Sequence, residues 1–443
     1  MRIHLQALGC RLNEAELESW ARQFQGLGHQ VTAQPEGADL LVVNTCAVTQ
    51  EAVRKSRKLL RRCQRDNPRA KLVVTGCYAS LEPEAASRAL GADLVVANQD
   101  KDRLVEIARR RLDLHTMPEI ATQPGENPLF ARGRQRAFVK VQDGCRYRCT
   151  FCIVTRARGE ERSRPLDVVV DEVNQLVGEG IQEVVLTGVH IGGYGSDIES
   201  SLSTLIRAIL DRTELPRLRL GSVEPWDLPA DFWSLFENPR FMPHLHLPLQ
   251  SGSDDVLRRM ARRCRTSEFT RLVETARDQV PDINLTTDII VGFPGETDRE
   301  WRETRDYVAS LGFGHLHIFA YSPRSGTKAA HLPEQVPAEV KKSRSLELHA
   351  VAGRLKQQTL ERFLGRTFPV LVEGAYAGGD YWFGYTPNYL PVTIPGKYGR
   401  DLGNRIVAAK LIRLDTGGER LIADRKRRTT LARGPLGGGE RRQ

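Results

Sequence analysis

Ala137-Phe138-Val139-Lys140-Val141-Gln142-Asp143-Gly144-Cys145-Arg146-Tyr147-Arg148-Cys149-Thr150-Phe151-Cys152 is the stretch on which the reading of this chain turns. Ala137–Gln142 has the composition of a buried strand, and three cysteines follow it within eight residues. In β/α barrels, functional groups collect at the C-terminal ends of strands. A [4Fe–4S] cluster normally takes four protein thiolates. Three thiolates would leave one iron open, as the open position of a catalytic zinc site does. The competing reading, a zinc knuckle, uses paired C-x2-C units, and the chain has no second pair.

Downstream of this stretch, strand candidates recur at Glu183–Thr187, Leu218–Ser222, Leu245–Leu249, Asn284–Val291 and His315–Tyr321. Helical spacing fills the gaps, for example at Val168–Glu179 and Ser267–Asp278. Six β/α units predict a partial TIM-type barrel, because the complete eightfold barrel needs roughly 250 residues. Upstream, strands Arg2–Leu8, Ala38–Asn44, Lys71–Thr75 and Asp93–Ala97 alternate with helices Glu14–Leu27, Gln50–Cys63, Glu82–Leu90 and Lys101–Arg111. Continuous apolar strands separated by helices predict a parallel sheet covered on both faces. Cys10, Cys46 and Cys77 each follow one of those strands, about one βαβ unit apart. Strands of a parallel sheet end along one edge, where ligands of open α/β sheets bind, so the three thiols can converge there. Cys63 and Cys264 belong to neither set.

Beyond the barrel, a helix over Lys341–Phe363 leads into short strands with Gly and Pro turns at Phe368–Glu373, Tyr381–Tyr385, Leu390–Val392 and Arg405–Arg413. This predicts a small β-barrel. From Asp424 the chain is rich in Arg, Lys and Gly and reads as a disordered tail. The expected organisation is an α/β chain in five parts. Residues 1–115 form the parallel-sheet domain, 116–130 a linker, 131–358 the barrel, 361–425 the small β-barrel and 426–443 a basic tail.

The chain has 443 residues and a formal net charge of +10, which suits an anionic partner such as nucleic acid. Its apolar runs fall far short of the roughly 18–20 residues that span a bilayer, and Met1–Leu5 leads into a strand rather than a signal peptide. No membrane association and a cytoplasmic location are therefore expected.

The C-x3-C-x2-C spacing resembles the radical S-adenosylmethionine (SAM) superfamily, in which the open iron binds SAM. The resemblance implies that Phe151 packs near the adenine. It also implies that Thr187 and Gly188 in Leu186-Thr187-Gly188, Ser222 and Glu224 in Ser222-Val223-Glu224-Pro225, and Asp288 in the stretch running to Glu296 contact SAM. Leu8-Gly9-Cys10, Asn44-Thr45-Cys46 and Thr75-Gly76-Cys77, combined with the second motif and a terminal module like a TRAM domain, resemble the methylthiotransferase family. That family implies two [4Fe–4S] clusters, one on Cys145, Cys149 and Cys152 and one on Cys10, Cys46 and Cys77.

The substrate branches of the family are isopentenyladenosine in tRNA, threonylcarbamoyladenosine in tRNA, and an aspartate of a ribosomal protein. Gly9–Glu14, Asn44–Thr49, Leu186–Ile191 and Gly384–Tyr389 resemble the threonylcarbamoyladenosine branch. The implied reaction adds a methylthio group to C2 of the adenosine at position 37, beside the anticodon. The implied partners are the tRNA anticodon loop, an electron donor such as flavodoxin or ferredoxin, and a sulfur source. Thr155 departs from the proline expected shortly after the third cysteine.

Overall fold

A computed structural model of the chain describes residues 1–89, 91–112, 114, 135–376, 380–396 and 401–425. The expected linker at 116–130 and tail at 426–443 lie outside the described residues.

The N-terminal unit is a five-stranded parallel sheet of β1 (Arg2–Ala7), β2 (Gln30–Thr32), β3 (Leu40–Thr45), β4 (Lys71–Gly76) and β5 (Leu94–Val96), in spatial order β2-β1-β3-β4-β5. Every residue of β3 is buried, as a central strand covered on both faces requires. Helix α1 (Arg11–Gly26) and the amphipathic α2 (Gln50–Asp66) cover the sheet. Helix α3 (Cys77–Leu81) starts directly at the strand end. The helix expected at Glu82–Leu90 follows from Pro83 and winds as a π-helix over Ala85–Ala89. The last helix of the unit, α4 (Leu104–Arg111), is preceded by a 3-10 turn at Asn98–Arg103.

The central unit has six parallel strands: β6 (Arg136–Lys140), β9 (Glu183–Thr187), β10 (Arg217–Leu220), β11 (His244–His246), β12 (Asn284–Val291) and β13 (His315–Ala320). A small hairpin, β7 (Gln142–Asp143) with β8 (Arg162–Ser163), brackets the cysteine loop. Strands β6-β9-β10 and β11-β12-β13 form two sheets, bridged at Leu218–Phe241 and Ser222–His246 into one open arc. Helix α1 lies on the β6 edge and the long helix Ala338–Glu361 on the β13 edge.

Side chains alternate across these strands. Val139, Val184, Leu186, Leu218, Leu220, Leu245 and Leu285 pack outward into the main core. Each such buried aliphatic contributes about 1.5–3 kcal/mol. The opposite positions face the lumen and are largely polar: Arg136, Thr187, Arg219, His244, His246, Asn284, Thr286, Asp288, His315 and His317 line one cavity there. The barrel interior is therefore a polar chamber, not the packed core of a complete TIM barrel.

The C-terminal unit closes as a five-stranded barrel, β14 (Thr367–Tyr376), β15 (Tyr381–Tyr385), β16 (Pro391–Pro395), β18 (Leu421–Arg425) and β17 (Arg405–Leu414) in spatial order. Asp424, expected to open the tail, instead lies in the closing strand. Leu421 and Ala423 are fully buried in the small barrel, and that burial holds the strand in place. This unit docks under the N-terminal ends of the central strands. Asn284 donates to the carbonyl of Asn388 (3.0 Å), Asn388 to that of Asp282 (3.1 Å), and Arg217 to that of Tyr385 (3.2 Å).

Candidate cluster and substrate site

Cys10, Cys46 and Cys77 lie at the C-terminal ends of the adjacent strands β1, β3 and β4. The preceding glycines are required by the geometry. Gly9 and Gly76 have φ of +105° and +100°; a Cβ on Gly9 would stand 2.7 Å from the Cys46 sulfur, and one on Gly76 2.2 Å from the Thr45 carbonyl oxygen. Ser56 of α2 holds the Cys46 turn, accepting from its N–H (3.1 Å) and donating to its carbonyl (2.9 Å). Asn13 donates to the carbonyls of Leu8 (2.6 Å) and Thr45 (3.3 Å), which ties the first two strand ends together. Burial raises the pKa values of Cys10 and Cys46; at Cys10 the charge of Arg158 opposes the rise.

The second triad sits on the loop between β7 and helix α5 (Val154–Arg158). Gly144 is forced by φ +76° and by the Glu160 carbonyl oxygen, 1.8 Å from where a Cβ would be. Thr155, where a proline is expected, donates its hydroxyl to the Tyr147 carbonyl (2.9 Å) and so closes the loop by a different bond. Burial pushes Cys145 up to about 11 and Cys152 to about 12. Protonated thiols must release protons to bind a metal, so any metal loading of such thiols would be pH-dependent. All six thiols are free, and within each set they sense one another's charge. Three convergent thiols are the donor chemistry that an iron–sulfur cluster takes.

The two triads approach through the segment that follows Cys152. Asn98 donates to the Cys77 sulfur (3.9 Å) and to the carbonyl of Ala157 in α5 (2.6 Å). Arg158, buried, reaches Glu16 (3.1 Å), Asp143 (2.9 Å) and Asn13 (2.8 Å). Lys101 holds the other oxygen of Glu16 at 2.5 Å. Burial alone would raise the Glu16 pKa, but Lys101, Arg158 and Lys140 together hold the carboxyl far below the usual range. Sequence reading missed Asn98, Lys101 and Arg158, because their partners are distant in the chain.

A cavity of about 1260 Å³ runs from this edge through the lumen. Its wall includes Cys10, Cys46, Cys77 and Val154, and among the expected SAM-contact residues Thr187, Gly188, Ser222 and Asp288. Phe151 and Glu224 are elsewhere. Phe151 packs with Val256, Met260, Phe293, Tyr321 and Ala329. Glu224 pairs with Arg262 (2.7 Å), whose guanidinium also reaches the Cys149 sulfur (3.9 Å) and lies over Trp226. Asp288 contacts His246 at 3.1 Å, and His317 completes a close group with them. The histidines were legible only as the alternating His244-Leu245-His246 and His315-Leu316-His317. Cys63 and Cys264 are buried core residues.

The radical SAM superfamily model matches residues 139–308, and the model described as uncharacterized protein family UPF0004 matches residues 2–97. A Thermotoga maritima protein named threonylcarbamoyladenosine tRNA methylthiotransferase MtaB is 36% identical over 395 residues, covering 86% of this chain and 90% of that protein. Its Bacillus subtilis namesake is 33% identical over 93% of this chain and 94% of its own length. A Symbiobacterium thermophilum tRNA-2-methylthio-N(6)-dimethylallyladenosine synthase is also 33% identical, covering 94% of this chain and 93% of that protein. Among solved structures, the radical SAM methyltransferase TsrM of Kitasatospora setae, with cobalamin and a [4Fe–4S] cluster bound, has a TM-score of 0.54. At 16% identity over 74% of this chain and 77% of that one, it shares the fold. By its relatives, its radical SAM segment and its β/α architecture, the chain belongs to the radical SAM methylthiotransferases that modify tRNA, a family using SAM and a [4Fe–4S] cluster.

Proposed function

We propose that this chain adds a methylthio group to C2 of N6-threonylcarbamoyladenosine at position 37 of tRNA, in the cytoplasm. The observation that carries this reading is one continuous cavity linking Cys10, Cys46 and Cys77 to the polar barrel lumen, with Val154 and Arg158, from the helix that follows the Cys145–Cys152 loop, in its wall. In this reading Cys145, Cys149 and Cys152 hold one [4Fe–4S] cluster and Cys10, Cys46 and Cys77 a second. When bound, the clusters and SAM supply the reducing electron, the radical that removes the C2 hydrogen, and the sulfur group.

The residues of the chain position and enclose. Arg262 sets a positive charge beside Cys149 and orients Glu224. Thr187, Gly188 and Ser222 line the upper lumen where SAM would lie. Gly188 allows a close approach there, since a Cβ on it would stand 3.0 Å from the Gln142 carbonyl oxygen. The target base must leave its stack to enter, at low cost in a single-stranded anticodon loop. The exposed face of α2, with Arg54, Lys55, Arg57, Lys58, Arg61 and Arg62, offers phosphate contacts. A flavodoxin or ferredoxin as electron donor and a separate sulfur source complete the cycle.

The names of the Thermotoga maritima and Bacillus subtilis relatives favour threonylcarbamoyladenosine over isopentenyladenosine. The test is anaerobic turnover of anticodon stem-loops carrying each base, read by nucleoside mass spectrometry. Methylthiolation of the threonylcarbamoyl substrate is expected. Turnover of only the isopentenyl substrate would reject the assignment.

A further inference from the structure

The floor of the lumen holds a concentration of buried charge that the cluster chemistry does not use. Three arginines meet two carboxylates there: Arg136, Arg217 and Arg219 with Glu183 and Glu373. Glu183 is wholly buried and accepts from Arg219 twice, at 3.1 and 3.0 Å, and from Arg136 at 2.5 Å. Arg136 donates Nη1 to the Tyr389 hydroxyl (3.3 Å) and sets Nη2 as an ion pair 2.8 Å from Glu373, without the alignment of a hydrogen bond. Arg217 is engaged by the carbonyls of Tyr385 and Pro369. Arg219 is not saturated. It is 2% exposed and lies over the Tyr389 ring, and its Nη1 has no partner. Beside it, His244 is 7% exposed with an unpartnered Nδ1, and burial together with the Arg219 charge holds its ring neutral. Arg219 and His244 both line the cavity.

A buried donor left unpaired costs free energy, and a local excess of one positive charge costs more. Both costs vanish if an anion with two acceptor oxygens enters the floor. We infer that Arg219 and His244 form the receptor for a carboxylate carried by the substrate. The inference rests on the proposed function, because the threonylcarbamoyl group ends in a carboxylate and the isopentenyl group has none.

The dimensions agree. Arg219 precedes Ser222 by three residues, which places the floor on the order of 10 Å below the SAM-facing rim at the strand rise. From adenine C2 to the threonyl carboxylate the path is about seven covalent bonds, a reach of at most roughly 9 Å at ordinary bond lengths. A base with C2 at the rim can therefore place its carboxylate on Arg219. The small C-terminal barrel enters the same design, since Tyr389 and Tyr385 stack beneath the guanidinium groups.

The test uses reconstituted full-length enzyme and two stem-loops, one with the native threonylcarbamoyl carboxylate and one with that carboxylate capped as its methylamide. Capping is expected to raise KM by about 10- to 100-fold with kcat little changed, as for loss of a charge-assisted hydrogen bond in a buried site. Arg219→Gln is expected to raise KM for the native RNA to the capped level, so that the two substrates become equivalent. Arg219→Lys should recover part of the difference. If Arg219→Gln fails to fold, the wild-type comparison of the two RNAs still decides. Equal KM for native and capped RNA in the wild type would overturn this inference alone. Turnover of an isopentenyl stem-loop with neither threonylcarbamoyl RNA modified would overturn the substrate assignment together with it.

Discussion

The two thiol triads are built in opposite ways. Cys145, Cys149 and Cys152 come from one loop closed on itself, with Cys145 N–H bonded to the Gly159 carbonyl (3.1 Å) and Thr155 bonded to the Tyr147 carbonyl. Cys10, Cys46 and Cys77 come from three strand ends whose registry the sheet provides and whose far side the barrel covers through Arg158 and through Ala157, which accepts from Asn98. The first set needs a local loop; the second needs an assembled sheet and an intact junction between two units. Loss of tertiary structure should therefore reach the N-terminal set first.

The strongest test of that contrast removes each set in turn. Changing Cys145, Cys149 and Cys152 to Ala should remove about half of the bound iron and lower SAM cleavage by more than about a thousandfold. Changing Cys10, Cys46 and Cys77 to Ala should remove the other half, leave SAM cleavage intact and abolish methylthiolation. Iron analysis and 5′-deoxyadenosine formation report both, and equal loss of cleavage in the two variants would erase the distinction.

Arg158→Met probes the junction between the units. It leaves Glu16 and Asp143 buried without this partner, and removal of one member of a buried ionic group costs about 3–5 kcal/mol. Chemical denaturation should register that loss. Iron on the N-terminal set should fall while SAM cleavage persists; loss of both together would mean that the units do not differ in this respect.

Reversing charge on the exposed face of α2 at Arg54, Lys58 and Arg61 should leave both sets loaded. Binding of tRNA should weaken by about tenfold, and the salt dependence should flatten by about one unit of slope for each phosphate that is no longer neutralised. Unchanged affinity and slope would assign the helix to solvent.

The smallest effect concerns the support behind the barrel loop. Burial would lower the pKa of His190, but its bonds to Asp227 (2.6 Å) and Glu161 outweigh burial and hold it above the ordinary value. Tyr147 of the loop shares Asp227 (2.7 Å). A raised imidazole pKa gives stability that is complete below the unfolded value, near 6.5, and is lost as pH rises through the folded one. Unfolding free energy should thus decline as pH rises through the folded value, and His190→Gln should remove that slope.

Much of this was legible in the chain. C-x3-C-x2-C needs only adjacency, and the turn glycines before Cys10 and Cys77 announce strand ends that no other residue fits. Apolar periodicity marked the six central strands to within a few residues at each end. It failed at Leu421–Arg425, too short and too close to the basic tail to register. Thr187, Gly188, Ser222 and Asp288 line the cavity, whereas Phe151 and Glu224 are engaged with neighbours outside its wall.

Sequence by itself determined the kinds of unit and the thiols each carries, because hydrophobic period and ligand spacing are local properties of a chain. Tertiary structure alone decided that the small barrel closes the floor of the large one, that Arg158 bridges Glu16 and Asp143, and that Arg219, a residue of the cavity wall, keeps one buried nitrogen without a partner. Those facts depend on which distant groups arrive to satisfy or leave unsatisfied a buried charge, and burial is a property of the assembled molecule, not of any segment of it.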